Sequence, residues 1–220
     1  MKIQQVQKPL NTLVMGANGG IGKQTIEIAL KLGHNVTAVL RDPTKLTIKH
    51  PNLQIVKGDV MYPETFENHL EDKEAVISAL GTNTISKPTI LYSEGNKNLL
   101  KAMKKKGVRR AFFISASAIE ISPVLPFYVR FAEKYIVQKL LRYMYDDLRI
   151  MEKLVKETDI DWTIMRPPRL TDKPVTGEYR FEINSFLKNC LSISRADVAH
   201  FMINNITNES TYRTTIEIGY

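Results

Sequence analysis

Seven residues, GANGGIG from Gly16 to Gly22, hold four glycines and stand directly between an apolar run and a helical pattern. Glycine costs conformational order inside regular structure, so a cluster at a strand–helix junction marks a place where something must come close to the main chain. Gly16, Gly19 and Gly22 have the spacing G-x-x-G-x-x-G. In a βαβ unit Gly16 makes the tight turn off the strand and Gly19 lets backbone amides reach a diphosphate. Gly22 then lets the helix pack closely on the sheet. Alone the pattern is weak, and a purely structural turn is the competing reading. Behind the first strand of a βαβ unit it points to dinucleotide binding.

The rest of the chain supplies that context. NTLVMGA (11–17) reads as a buried strand, followed by a helix over 20–32 with Ile21, Ile28, Ala29 and Leu32 on one face and Gly33 ending it. NVTAVLR (35–41) and LQIVKGDV (53–60) are the second and third strands. A short helix opens at Pro63, and AVISALG (75–81) is the fourth strand. A helix over about 88–106 precedes VRRAFFISAS (108–117), the fifth. Residues 127–157 contain neither glycine nor proline and are helical in pattern, with a break expected near Tyr145-Asp146-Asp147. DWTIMRPP (161–168) is a sixth strand and TGEYRFEI a short β segment. SRADVAHFMINNI is a helix capped by Ser194 with Asp197 three residues on, and TTIEIGY is the last strand. This alternation predicts an α/β fold, a Rossmann-like doubly wound parallel sheet in a single domain over 1–220. Its ligand crevice lies beyond the carboxyl ends of the strands.

Composition narrows the function. The 220 residues are 43% hydrophobic and 25% charged, as in ordinary globular chains, and no apolar stretch reaches membrane-spanning length, so no membrane partner is expected. The polar lead MKIQQVQKPLN does not read as a signal peptide, and the one cysteine, Cys190, suits a reducing cytoplasm. The four histidines are scattered, so no metal site is expected. The net charge of +8 raises the question of nucleic acid, but the densest basic stretch, KAMKKKGVRR, has no interleaved aromatic residues. Lys104, Lys105 and Lys106 read instead as a helix end before Gly107, where cations face the negative end of the dipole. No nucleic-acid partner is expected; the excess charge favours anionic small molecules.

Three strand ends carry the candidate chemistry. At the second, Asp42 is followed by Pro43 and reads as the N-cap of a short helix, which leaves Arg41 and Lys45 as a clamp for a ribose 2′-phosphate and favours NADPH over NADH. Arg41 as a solvated strand end is the plainer reading. At the third, Asp59-Val60 flanks the adenine, or Asp59 merely caps its loop. At the fourth, Ala79-Leu80-Gly81-Thr82 lies beneath ribose and nicotinamide, with Gly81 permitting close approach. Tyr135 and Lys139 have the spacing Y-x-x-x-K and share a helix face, so with Ser117 they make a candidate carbonyl-reducing triad. The stripe Phe127, Phe131, Tyr135 and Leu140 is equally what a packed lid helix shows.

GANGGIG, the VLRD strand end, GDV, SALGTN, SEGNKNLLKAMKKKGVRR, FISASA, DWTIMRPPRLTDKPVTGEY and ISRADVAHFM together resemble the atypical short-chain dehydrogenase superfamily, nearly end to end. The nearest likeness is to the biliverdin-IXβ reductase group, which also reduces flavins with NADPH. The resemblance implies cofactor contacts from Gly16, Asn18, Gly19, Gly20, Ile21, Arg41, Lys45, Asp59, Val60, Leu80, Gly81 and Ser115, with Ser117 beside the substrate. It implies NADP as cofactor, flavin as a substrate, and a chain tending to be monomeric, although the sequence leaves monomer or dimer open. Two departures stand out. Arg169 occupies the position where that group has a histidine after Pro-Pro, and it can bind an anionic group rather than deliver a proton. The lid, about 119–145, is longer, with the C-terminal substrate-side segment at about 169–195.

The resulting expectation is an NADPH-dependent oxidoreductase passing hydride to a small planar acceptor such as a flavin or quinone. Ser115, Ser117 and Arg169 orient the reactants, and aromatic and apolar residues between Ile121 and Tyr135 cover the acceptor. Its rivals are a non-catalytic NmrA-like redox sensor and a carbonyl reductase or sugar-nucleotide epimerase using Tyr135 and Lys139.

Overall fold

The computed structural model describes residues 8–82, 84 and 86–220; the polar lead over 1–7 and Asn83 of the SALGTN motif lie outside the described residues. Strands β1 (Asn11–Met15), β2 (Asn35–Leu40) and β3 (Leu53–Lys57) run in one direction across the sheet from the first turn. Strands β4 (Ala75–Ser78), β5 (Arg110–Ile114) and β6 (Asp161–Arg166) run in the other. With β7 (Arg169–Thr171), β8 (Arg180–Ile183), β9 (Ser192–Ser194) and β10 (Thr214–Gly219), the chain forms an eight-stranded sheet of order β3-β2-β1-β4-β5-β6-β10-β8 and a separate pair β7-β9. Strand order reverses between β1 and β4, which puts the crevice at their carboxyl ends. One departure from an all-parallel sheet is β8, which joins the edge antiparallel to β10. The return loop from β6 is too irregular to act as a helical crossover, and an antiparallel edge needs none.

Helices cover both faces. On one, α1 (Gly20–Lys31) packs beside α6 (Arg195–Asn204), burying Ile26, Ala29, Val198 and Met202. On the other, α2 (Ser93–Lys106) packs beside α5 (Arg142–Lys156), burying Leu99, Met103, Met151 and Val155. The local stop signals act as the sequence implies. Gly33 and Gly107 end α1 and α2 with φ of +80° and +73°, and Ser194 Oγ accepts the Asp197 N–H at the start of α6. The basic run is absorbed by the fold: Lys105 pairs with Glu67 at 2.8 Å, Arg109 sits beside Asp161, and Arg110 is buried on backbone carbonyls and Thr211.

The long helical stretch departs most from expectation. It comprises α3 (Phe127–Ala132), a π-helical turn (Glu133–Val137), α4 (Gln138–Leu140) and α5, and it breaks at Leu141 rather than near Tyr145. Asp147 explains the difference. It is buried in α5 and its carboxylate accepts the backbone N–H of Tyr92 at 2.8 Å and of Ser93 at 3.2 Å, together with the Ser93 hydroxyl. The aspartate pair therefore does not loosen its own helix; Asp147 caps another one, and this is why α2 opens at Ser93 instead of near Pro88.

Candidate functional site

A cavity of about 890 Å³ opens over the carboxyl ends of β1, β2, β4, β5 and β6. Its floor at one end is the glycine turn. Gly16 has φ +82°, and the Gly19 N–H closes the turn on the Gly16 carbonyl at 2.9 Å. No side chain caps α1 and no acidic residue lies in its first turn, so its leading amides face the cavity with the positive end of the helix dipole. A Cβ on Gly20 would lie 2.8 Å from Arg195 Nε, because the Arg195 side chain is laid along this glycine. Arg195 is held by Asp172 at 2.7 Å and also lines the cavity. Gly22, in contrast, faces the backbone of Gly16 and Ala17, which is the helix–strand packing role its spacing suggests.

At the end of β2, Asp42 is taken up as read: its Oδ1 accepts from Thr44 N at 3.2 Å and Thr44 Oγ1 at 2.6 Å, capping the 3-10 turn Pro43–Lys45. The Thr44 hydroxyl and the nearby Lys45 hold its carboxyl below the ordinary range. Arg41 is exposed, and it and Lys45 line the cavity. Asp59 caps its loop, its Oδ1 accepting the Met61 N–H at 3.0 Å, and it also lines the cavity. Tyr92 OH accepts the Thr82 N–H at 3.2 Å and so fixes the loop after β4.

Farther along the cavity, Ser115 and Ser117 follow β5, and Pro167, Pro168 and Arg169 follow β6. Ser115 Oγ donates to Glu152 Oε1 at 2.7 Å, and Arg166 donates to the same carboxylate at 2.8 and 2.6 Å and to Glu120 at 2.9 and 3.0 Å. Burial works against ionising Glu152, but the hydrogen bond and charge of Arg166, with Ser115 and Lys156, outweigh it and hold the carboxyl below its ordinary value. Arg166 is raised in turn, burial notwithstanding, by its bonds to Glu152 and Glu120. This network locks the ends of β5 and β6 together and points Ser115 away from catalysis as a donor already in use.

All the predicted site residues — Gly16, Asn18, Gly19, Gly20, Ile21, Arg41, Lys45, Asp59, Val60, Leu80, Gly81, Ser115, Ser117 and Arg169 — line this one cavity. Tyr135 and Lys139 do not. Tyr135 is 53% exposed against Phe131, and Lys139 is exposed too. The expected aromatic cover is corrected as well: Phe127, Tyr128 and Phe131 are 61–83% exposed, and the lid face turned inward is Glu133, Val137, Leu141, Met144, Tyr145 and Leu148. Those positions repeat at helical spacing and were a second, less conspicuous stripe in the sequence. Arg195, Tyr92 and Cys190 also join the wall without having been predicted; Cys190 is half-buried, and burial pushes its thiol up to about 12.

A family model described as NAD(P)H-binding matches residues 16–209. The chain belongs to this NAD(P)H-binding family. Among its relatives, an uncharacterized chloroplastic protein of Arabidopsis thaliana is 30% identical over 226 residues, covering 96% of this chain and 77% of that protein. Photosystem II assembly factor Ycf39 of Synechocystis is 28% identical over 160 residues, and there the match spans 71% of this chain and only 44% of the relative. A short-chain dehydrogenase/reductase from Veillonella parvula, solved in complex with NADP, has a TM-score of 0.78 at 21% identity, covering 97% of this chain and 95% of that one. At that identity the likeness speaks for the fold, and the fold is the one expected of the atypical short-chain dehydrogenase superfamily. No described helix is long and apolar enough to cross a membrane.

Proposed function

We propose that this member of the NAD(P)H-binding family is an NADPH-dependent oxidoreductase that delivers hydride to a small planar acceptor, a flavin or a quinone. The observation that carries the reading is continuity. The uncapped α1 turn, the Arg41–Lys45 pair and the Ser117–Arg169 wall open into a single cavity of about 890 Å³. That is near the upper end of ordinary ligand pockets, ~300–1,000 Å³, and leaves room for a second molecule beside an extended dinucleotide.

The residues present fit such a cofactor. The amides of the glycine turn and the guanidinium of Arg195 hold the diphosphate; Arg41 and Lys45 hold the 2′-phosphate, since Asp42 is engaged elsewhere. Asp59 and Val60 border the adenine, and Leu80 and Gly81 underlie the ribose. Ser117 orients the acceptor, and Arg169 pairs with its anionic or electron-rich edge. Bound reduced nicotinamide supplies the hydride. The apolar inner face of the lid excludes water from the transfer. The exposure of Tyr135 and Lys139 argues against the carbonyl-reductase and epimerase alternative.

The test is to mix purified protein with NADPH and either FMN or menadione and follow loss of the reduced-cofactor absorbance. Turnover faster with NADPH than with NADH supports the reading. Tight binding of the dinucleotide with no turnover of any acceptor refutes it in favour of an NmrA-like sensor.

A further inference from the structure

Glu133 is the one acidic side chain on the lid's inner face. It opens the π-helical turn Glu133–Val137, and such turns, which insert a residue into a helix, recur at functional sites. Its Oε2 is buried with no hydrogen-bond partner among the described residues. The cavity wall around it is otherwise Val137, Leu141, Met144 and Leu148, all apolar, and one hydroxyl, that of Tyr145, which is 4% exposed.

Glu133 is half-buried, and a carboxylate oxygen buried without a partner is costly; the ordinary remedies are missing here. The titratable groups that Glu133 acts on are Tyr145 on α5 and Glu217 on β10, and the nearby Arg149 bears on Tyr145. Arg149 is spent on the Ile119 carbonyl at 2.8 Å and on Asp146 at 2.9 Å. Glu217 accepts the Leu187 N–H at 2.8 Å, and its second oxygen is also buried without a partner. No cation among the described residues therefore compensates Glu133, and burial raises its carboxyl above the ordinary range, which favours the protonated form. Tyr145 is pushed up to about 12 by burial and by Glu133, so it stays a neutral hydrogen-bonding phenol.

We propose that Glu133 is the proton donor to the acceptor, with Tyr145 positioning the acceptor's polar edge against it, and that the acceptor belongs to the quinoid or flavin-like class that gains a proton along with hydride. This rests on the oxidoreductase reading. The balance is complete: NADPH provides two electrons as hydride and leaves as NADP⁺. The Glu133 O–H bond breaks, and its proton forms a new bond to the ring oxygen or nitrogen that turns anionic as hydride arrives. Solvent reprotonates the carboxylate once product has left. Ser115, already donating to Glu152, and Arg169, which stays charged, are poorly suited to this task.

The experiment compares wild type, Glu133→Gln, Glu133→Asp and Tyr145→Phe with menadione and with methylene blue, a planar cation that becomes neutral on taking hydride and needs no further proton. Glu133→Gln should lower kcat with menadione on the order of 100-fold, the range of a lost general acid, and far less with methylene blue. It should also abolish the fall of kcat with rising pH, and Glu133→Asp should restore part of it. A cofactor-free readout accompanies these. Because ionising Glu133 is penalised only in the folded state, Glu133→Gln should melt higher than wild type at pH 8, the difference vanishing near pH 4. Equal losses with both acceptors, an unchanged pH profile, or identical melting curves at both pH values overturns the proposal. Wild type that reduces neither acceptor instead refutes the oxidoreductase reading on which it rests.

Discussion

Two glycines of the same motif, Gly20 and Gly22, should respond in opposite ways to the same substitution. A Cβ on Gly22 would overlap the Gly16 carbonyl and lie 3.0 Å from Ala17 Cα, so both neighbours are backbone and neither can rotate aside. Overpacking a rigid contact costs up to about 3 kcal/mol. Replacing glycine by alanine in a helix returns about 1 kcal/mol. The net for Gly22→Ala is about 2 kcal/mol of lost stability, and at roughly 2–4 °C per kcal/mol for a chain of this size the melting temperature should fall by about 4–8 °C. On Gly20 the Cβ meets only the flexible Arg195 side chain, which swings away at little cost. Gly20→Ala should therefore melt within about 2 °C of wild type, helix propensity offsetting the contact. What it should lose is NADPH affinity, by about 10- to 100-fold, because displacing Arg195 forfeits a charge-assisted bond of about 1.5–3 kcal/mol. Thermal melts followed by circular dichroism and calorimetric titration with NADPH give both quantities. Arg195→Ala should match the affinity loss, and adding Gly20→Ala to it should cost nothing further. Normal melting of Gly22→Ala, or additive losses in the double variant, would refute the packing argument.

The remaining predictions concern charge. Arg41→Ala should weaken NADPH binding by about 10- to 100-fold, the worth of one charged hydrogen bond, while leaving NADH binding unchanged; calorimetry with both dinucleotides checks it, and equal effects on the two would dismiss the 2′-phosphate clamp. Glu152→Gln strips Arg166 of its buried partner and should cost about 3 kcal/mol, read as a drop in melting temperature. Both Glu152 and Glu120 have pKa values below their ordinary 4.5, so their stabilisation is present above that pH and is lost as pH falls through the lowered folded values. Wild-type melting temperature should accordingly drop below about pH 4.5, with a shallower drop in Glu152→Gln; parallel curves would remove the ion pair as the cause.

Much of this protein is written in short-range signals. The β–α alternation, the glycine turn, the Asp42-Pro43 and Ser194–Asp197 caps and the glycine stops at Gly33 and Gly107 depend on residues within a few positions of one another, and every one of them operates in the structure. Because the strands end at the sheet's carboxyl edge wherever the crossovers are right-handed, the candidate nucleotide-binding residues converge on one cavity without any knowledge of distant contacts. The lid is different. Its conspicuous stripe of Phe127, Phe131 and Tyr135 faces out, and beyond Phe131 the π turn at Glu133 and the break at Leu141 shift the helical phase. Which stripe turns inward was settled by what lies beneath it. Asp147 anchors α5 on the amides that open α2, and this contact across 54 residues and more fixes the helix rotation that brings Tyr145 to the cavity. Arg195 likewise reached the glycine turn only through α6 packing on α1. Local hydrogen bonding chooses the elements, but the rotation of a helix about its own axis is chosen by the partner it buries, and that partner is visible only once the chain has folded.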